Sequence, residues 1–436
     1  MFLAACSAGP ALAPTESGPA PAPTHTPLPS PTPVFTPVPG KLLVDATQKS
    51  GPISPLVYGS NFGPEQGSVP LSVMPQAVAA KLTYMRFPDG NWGDLNDIEQ
   101  YQIDMFMAMC KQLGCAPAIS VRLTGGTPEA AADLVRYTNV TKGYKVQWWS
   151  IGNEPSLFPD YDTVRYNQEW RQYAQAMRAM DPSIKLIGPD IHQYTANYAG
   201  NPKDKNGKDW MEEFLKANGD MVDIISIHRY PFPLGINGGP PSIDDLRANS
   251  QEWDQIIPAL RAQIRKDTGR DLPVAVTEVN SSYAANTGGD ATMDSHYNAI
   301  WWGDVLGRLI RQGVTIAAQF ELLGDFGILK SQSIHPIYYV YLMYQNFGNE
   351  RVYASSDDPN VSIFAATRPD GSLTLMLVNL GDTPVTKPLQ INGFTATKPA
   401  QTWLFDASHE AEKMADGTLG ATVTLPGQSM TLIVIQ

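Results

Sequence analysis

Cysteine is scarce, with three in 436 residues. Cys6, Cys110 and Cys115 supply neither a disulfide framework nor a metal-binding spacing. Cys110 and Cys115 flank the end of a predicted helix, where a small disulfide or two buried thiols would both fit, and thiols are the expectation. Positive charge is also short: 31 Lys and Arg stand against 43 Asp and Glu, a net charge of -12. That lacks the basic footprint of a nucleic-acid binder, so no nucleic-acid partner is expected. No apolar run approaches the length of a membrane-spanning helix. No glycine-rich phosphate loop follows an apolar strand, which argues against a doubly wound nucleotide-binding sheet. His192, His228, His296 and His335 show no ligand spacing of the H-E-x-x-H kind. The loop Asp204-Lys205-Asn206-Gly207-Lys208-Asp209 lacks the ligand alternation and distal glutamate of a calcium site. Neither a metal nor a cofactor is expected.

What is present centres on Gln147 to Pro155, QWWSIGNEP. Val146, Trp148, Trp149 and Ile151 read as a strand buried on both faces. Gly152 ends it, and Asn153 and Glu154 sit where the chain turns. Pro155 restricts the residue before it. A second stretch, Pro273 to Asn280 (PVAVTEVN), repeats the plan and ends in Glu278. Carboxylates at the carboxyl ends of buried strands face the cleft of a parallel α/β barrel. Two of them make the pair that glycoside hydrolysis requires.

The surrounding pattern agrees. From about Gly51 to Gln345 strand, loop and helix alternate, with strand cores at Pro55–Gly59, Leu82–Phe87, Ala116–Val121, Val146–Ile151, Ile184–Gly188, Val222–Ile227, Pro273–Thr277 and Val314–Phe320. Helical patterns cover Ile98–Leu113, Pro128–Thr138, Asp162–Met180, Trp210–Asn218, Ile243–Asp267 and Ser295–Arg311. Thr127 before Pro128 is a helix-start signal. This predicts a (β/α)8 TIM barrel over residues 50–345. After Phe347 short alternating strands separated by turns predict a β-sandwich over 346–436, completed by a strand in 41–49. Residues 1–40 are set apart. Residues 10–39 alternate Pro with Ala, Thr, Ser and Val, a composition that favours extended polyproline II. At about 3.1 Å per residue, thirty such residues reach roughly 90 Å.

Two resemblances follow from these motifs. Leu3-Ala4-Ala5-Cys6 resembles the lipobox of bacterial lipoprotein signal peptides, although a basic n-region and most of the apolar h-region are missing. It implies an exported protein, lipid-anchored through Cys6 at the bacterial cell surface and held off the membrane by the proline-rich spacer. An ordinary disordered tail is the alternative. Asn153-Glu154-Pro155 after strand four and Glu278 at strand seven resemble the large clan of retaining (β/α)8 glycoside hydrolases. The resemblance implies Glu154 as acid/base, Glu278 as nucleophile and Asn153 as the ligand of a sugar 2-hydroxyl. Within the clan, Arg86-Phe87-Pro88-Asp89-Gly90-Asn91-Trp92 is similar to the R-x-P-G-G-N loop of α-L-arabinofuranosidases, with Asp89 in place of a glycine. Gly125 to Ala131 and Glu278-Val279-Asn280 also look like that family. Leu186-Ile187-Gly188-Pro189-Asp190 and Thr277 to Tyr283 look like heparanase and its β-glucuronidase relatives.

Position nominates further residues for a carbohydrate substrate. Arg86 ends strand two, as a carboxylate anchor or a mouth ion pair. Asn61 follows strand one, for substrate hydroxyls or the loop itself. Asn91 and Trp92 lie on the loop after strand two. His228 and Tyr230 end strand six, where the clan places a histidine or tyrosine against the nucleophile. Gln319 and Glu321 flank the end of strand eight, and Glu321 has no assigned role. Trp92, Phe232 and Trp301 offer stacking faces. The expected chemistry is retaining hydrolysis of O-glycosidic bonds in a polysaccharide or oligosaccharide. It requires Glu154 protonated, with its pKa raised by burial and nearby negative charge, and Glu278 ionised among donors such as Arg86 and Tyr230. A transglycosylase on the same site and a non-catalytic carbohydrate-binding lipoprotein are the rival readings.

Overall fold

The computed structural model describes residues 37–233, 239–284 and 287–436. The lipid-attachment motif at Cys6 and nearly all of the proline-rich stretch lie outside the described residues.

Strand β1 (Leu42–Pro52) comes first. Eight strands follow: β2 (Gly59–Asn61), β3 (Tyr84–Phe87), β4 (Ala116–Val121), β5 (Trp148–Ile151), β6 (Lys185–Ile191), β7 (Ile224–Arg229), β8 (Val274–Val279) and β9 (Ile316–Gln319). They pair in parallel, each with the next, and close where β9 meets β2. The expected barrel is therefore present, and its fourth and seventh strands are β5 and β8. The first barrel strand departs from expectation. Pro55–Gly59 is not the strand; it begins only at Gly59. Pro55 has no N–H to give a ladder. Gly59 is where the chain comes close to its neighbours: a Cβ there would stand 3.0 Å from the Tyr84 ring and 3.2 Å from the Ala317 carbonyl. Asn61 thus ends the strand instead of following it.

The helices are set by ordinary end signals. Thr127 accepts from the Ala130 N–H at 3.1 Å and starts Pro128–Val135, which runs on as a π turn over Arg136–Thr141. Asp162 caps Thr163–Met180, and Asp209 caps Trp210–Asn218. The Asp204 carboxylate accepts from Thr163, Asn206 and Lys208, so that loop is spent on turn and cap bonds. The expected helix Ile243–Asp267 is two, Ile243–Asn249 and Trp253–Thr268, joined by a tight turn at Ser250–Glu252. Cys110 and Cys115 are free and buried.

The remaining strands are β10 (Glu350–Ser355), β11 (Val361–Thr367), β12 (Leu373–Asn379), β13 (Val385–Asn392), β14 (Gln401–Asp406), β15 (His409–Lys413), β16 (Thr422–Leu425) and β17 (Ser429–Ile435). With β1 they form one nine-stranded sheet in the order β15-β14-β17-β12-β11-β10-β1-β13-β16. The N-terminal strand lies inside it, antiparallel to β10 and parallel to β13. Leu425 at one end of this order packs with Leu375 and Ile433 from its middle, so the sheet curls around a core of its own. Its other face, with Phe364, Met376, Val378, Met430 and Leu432, joins the main core of the barrel.

That junction rests on the helix His296–Arg311, almost wholly buried. Arg308 donates to Asp304 at 2.8 Å and to Ser362 of β11 at 2.9 Å, and it also pairs with Asp254. Gly303 and Gly307 let the sheet approach. A Cβ on Gly307 would overlap the buried Phe364 ring, and one on Gly303 would overlap Met430. Gly307→Ala should lower the unfolding free energy by about 1–3 kcal/mol, the usual cost of overpacking, although alanine is the better helix former. Urea denaturation measures it, and an unchanged midpoint would mean that the sheet slides freely on the helix.

Candidate active site

A layered lumen leads up to the site. Tyr84, Ala118, Ile187, Ile224, Ala275 and Ile316 form an apolar floor, the large tyrosine fitting against alanines. Above it the inward positions turn polar: Arg86, Ser120, Ser226, Thr277 and His228 are all buried. Strict alternation would send Thr277 and Glu278 to opposite faces. The ladder is irregular here, between Val276 and Val279 of β8 and between Ile227 and His228 of β7. Such an irregularity re-aims side chains. Thr277 reaches Asp190 at 2.5 Å while the next residue, Glu278, reaches Arg86 at 2.7 Å.

Arg86 is the hub. One guanidinium nitrogen donates to Glu278 Oε1 at 2.7 Å and to Asn61 Oδ1 at 3.3 Å. The other donates to Asn153 Oδ1 at 2.8 Å and reaches Asp190 at 3.5 Å. Burial works against this charge, but Asp190 and Glu278 outweigh it and hold the Arg86 pKa above its ordinary value. Asp190, despite burial, is held below the usual carboxylate range by Arg86 and His228. Tyr230 donates to Glu278 Oε2 at 2.7 Å, so both oxygens of that carboxylate have donors.

Glu154 is built differently. Its backbone is left-handed, φ 44° and ψ 54°, just before Pro155. Its N–H donates to the carbonyl of Asp190, itself left-handed at φ 53°. Two histidines meet one oxygen: His228 Nδ1 lies 2.9 Å and His192 Nδ1 3.2 Å from Glu154 Oε1. Among the described residues none donates to Oε2, and the side chain keeps 9% of its surface exposed. The sequence expectation of a raised Glu154 pKa is overturned here. Burial pushes it up, but the hydrogen bonds and charges of His192 and His228 outweigh burial and lower it to about 2. His228 answers in the opposite sense. Burial pulls its pKa down, while the Glu278 charge, Glu154 and Asp190 raise it above 6.5. His228 Nδ1 is also 3.6 Å from Glu278 Oε2.

Ligand atoms of Glu154, His228 and Glu278 lie within 4.8 Å of one another. Glu278 already has Arg86 and Tyr230 as donors, and His228 carries a raised affinity for a proton. The group therefore reads as a proton-sharing cluster with its positive charge built in, and not as a metal centre.

The other nominated residues divide. Asn153 is buried in the network, with its N–H on Asp94 at 2.6 Å and its side-chain amide on Asn91 at 3.2 Å. Asn91 is exposed at the mouth and Trp92 beside it is half-buried. The Asn61 amide is spent on the carbonyls of Thr277, Ala318 and Gln319, and the Gln319 amide on those of Phe320 and Phe326. Trp301 is buried on its helix with its N–H on Asn249, so it offers no sugar face. Asp94, Asp190 and His192 join the site without having been nominated for it. Asp94 holds the N–H groups of Leu123 and Thr124 as well as that of Asn153. A further acidic group borders the site: Gln66 bridges Asp89, at 2.5 Å, and Glu321. Burial, Glu65 and Glu321 raise the Asp89 pKa well above its ordinary value. Burial, with the charges of Glu65 and Glu278, raises that of Glu321 to about 7.

Residues 93–307 match the family model described as glycosyl hydrolase family 79, N-terminal domain. Heparanase of Mus musculus is 25% identical over 359 residues, 76% of this chain and 62% of the relative. Hyaluronoglucuronidase of Hirudo nipponia is 23% identical over 295 residues, 62% of this chain and 55% of the relative. The chain thus spans less than two thirds of the length of these relatives. Among solved structures, an α-L-arabinofuranosidase from Thermotoga maritima superposes with a TM-score of 0.71 at 18% identity, over 91% of this chain and 99% of that one. Both likenesses read from the motifs, to arabinofuranosidases and to heparanase-like proteins, are therefore found.

The Arg86 network generates a stability prediction. Arg86→Met leaves Glu278 and Asp190 as buried charges without their cation, which should cost about 3–5 kcal/mol at pH 7. Asp190 has a lowered pKa in the folded protein, so its stabilisation is present above its unfolded pKa and is lost as pH falls through the folded one. In the variant Asp190 loses the cation that lowers its pKa and protonates more readily, so the gap to wild type should shrink at pH 4. Denaturation at the two pH values measures this, and an equal gap at both would remove the charge explanation.

Proposed function

We propose that this protein is a retaining glycosidase acting by double displacement, with Glu278 as nucleophile and Glu154 as acid/base. The observation that carries the reading is the pair itself. Two carboxyl groups from the ends of β5 and β8 approach within 4.8 Å, and their surroundings differ in kind. Retaining enzymes hold their carboxyls about 5–5.5 Å apart, whereas inverting ones need roughly 6.5–9.5 Å to admit a water.

Roles follow from the partners. Arg86 and Tyr230 each donate to one oxygen of Glu278 and so fix its orientation for attack. Its oxygen bonds to the anomeric carbon as the glycosidic C–O bond breaks, and the departing oxygen takes the proton of Glu154. Water then attacks the glycosyl-enzyme, gives its proton to Glu154 and releases Glu278. A sugar seated in the mouth would desolvate the Glu154 carboxyl, and desolvation works against the anion. Asn153, held by Arg86 and Asn91, is placed for a sugar hydroxyl. The substrate class is a carbohydrate glycoside, and the names of the relatives make glucuronides and arabinofuranosides the first to try. Export and a lipid anchor at Cys6 belong to the same proposal, and Cys6→Ser should release the protein from membranes when it is expressed behind a complete signal peptide.

A panel of nitrophenyl glycosides (arabinofuranoside, glucuronide, xyloside, glucoside) tests the activity. Glu278→Ala should then lower turnover by several orders of magnitude, and azide should restore part of it with inverted product stereochemistry. Glu154→Ala should keep substantial glycosylation on a dinitrophenyl glycoside, whose leaving group needs no proton. On a sugar leaving group it should lose about 10²–10⁴-fold, the usual worth of general-acid catalysis. Equal losses for both variants on both substrates would reverse or remove these roles.

A further inference from the structure

The two histidines on Glu154 do something that neither the pair of carboxyls nor their spacing requires. Both Nδ1 atoms converge on one oxygen, Oε1, and leave Oε2 without a partner among the described residues. An ionised carboxylate only accepts hydrogen bonds, so both ring nitrogens facing it carry hydrogen. Two donors occupy the two in-plane lone pairs of Oε1, and a proton on the carboxyl then has only Oε2 to sit on.

The histidines are not equivalent. His228 is wholly buried, ends β7 and also faces Glu278 at 3.6 Å and Asp190 at 3.8 Å. Changing it disturbs both catalytic carboxyls. His192 lies two residues after Asp190, beyond the end of β6. Its side chain is 19% exposed, and Glu154 is the carboxylate it pairs with. The Tyr283 ring stands 6.4 Å from the imidazole and 5.6 Å from the Tyr230 ring.

We propose that His192 is a positioning residue for the acid/base carboxyl: by holding Glu154 Oε1 it confines the transferable proton to Oε2, the oxygen that meets the departing group. The inference rests on the glycosidase reading of the site. In the first step the Oε2–H bond breaks and its proton goes to the leaving oxygen. In the second, Oε2 takes a proton from the attacking water, and the pair of donors on Oε1 is untouched throughout. The same donors stabilise the anion, so His192 also limits how readily Glu154 is protonated. The groups facing Glu154 are His192 and Asp190 from the end of β6, His228 and Tyr230 from β7, Glu278 from β8, and Arg86 of β3 through Asn153. His192 can be removed without stripping a partner from Glu278 or from Arg86, whereas Asp190 is a partner of Arg86.

The test reads the carboxyl directly. With 13C-labelled glutamate, and with the Glu154 signal assigned by its loss in Glu154→Gln, the titration is followed in wild type, His192→Ala and His192→Asn. Loss of a donor to the anion should move the Glu154 midpoint up by about one pH unit in His192→Ala, since hydrogen bonding to the charged form favours it. The asparagine N–H should recover part of the shift. In kinetics, the fall in kcat/KM of His192→Ala should be at least tenfold larger on a sugar leaving group than on a dinitrophenyl one. A folded His192→Ala with an unmoved Glu154 midpoint overturns the proposal, as does an equal loss on both leaving groups. The titration needs no turnover. Failure there in a protein that hydrolyses glycosides removes the His192 role alone, whereas a wild type inert on every glycoside removes the glycosidase reading.

Discussion

The mouth of the barrel depends on one buried cation. Arg86 rises from β3 and reaches groups at the ends of β2, β5, β6 and β8: Asn61, Asn153, Asp190 and Glu278. A guanidinium suits this place because its planar fork serves several acceptors at once and it never gives up its charge. Burying it is costly, and the neighbouring carboxylates offset that cost only because they are buried with it. The dependence is mutual. Without the cation, Asp190 would lose the charge that holds its pKa down, and the ends of five strands would lose the contact that fixes them relative to one another.

Around that cation two chemically identical side chains become different reagents. Glu278 has donors on both oxygens, one of them a permanent charge. Glu154 has both its donors on one oxygen, and those donors are titratable. The division follows from the strands. β3 and β7 send Arg86 and Tyr230 to Glu278, while β7 and the end of β6 send His228 and His192 to Glu154. His228 lies between the two carboxyls and transmits the state of each to the other, so the protons of this cluster belong to the group and not to single residues.

Much of this was legible because it rests on short-range signals. Apolar runs ending in Glu154 and Glu278 mark strand ends, and eight repeats of strand and helix leave few folds open. Arg86, Tyr230 and His228 were found by position at other strand ends. What escaped detection depends on irregularity. Glu278 faces the lumen beside Thr277 only through a break in the β7–β8 register, which no alternation pattern encodes. Strand β2 is three residues long, too short for a period to show. Strands β13 and β15 lie largely exposed near the margins of the curled sheet, so their apolar positions are too few to read. The depression of the Glu154 pKa was missed because burial and negative charge were weighed without His192, which sits on a loop. The one hint in the sequence was that a histidine follows Gly-Pro-Asp by a single residue.

The Glu154 carboxyl is held in place through two residues of uncommon backbone conformation. Glu154 at φ 44° and Asp190 at φ 53° both occupy the left-handed region, and the amide of the first donates to the carbonyl of the second. Such conformations cost of order 1–3 kcal/mol each for residues other than glycine. They persist only where the surroundings over-determine them, and here the surroundings are polar. Asp94 holds the Asn153 N–H, Ser226 and Thr277 bond to Asp190, and Arg86 joins Asn153 to Asp190. Relaxing either residue to an ordinary conformation would swing Glu154 off the histidines or Asp190 off the guanidinium. The strain therefore sits where it fixes the direction of one carboxyl, and the buried hydrogen bonds that hold it there are those that set the charges of the site.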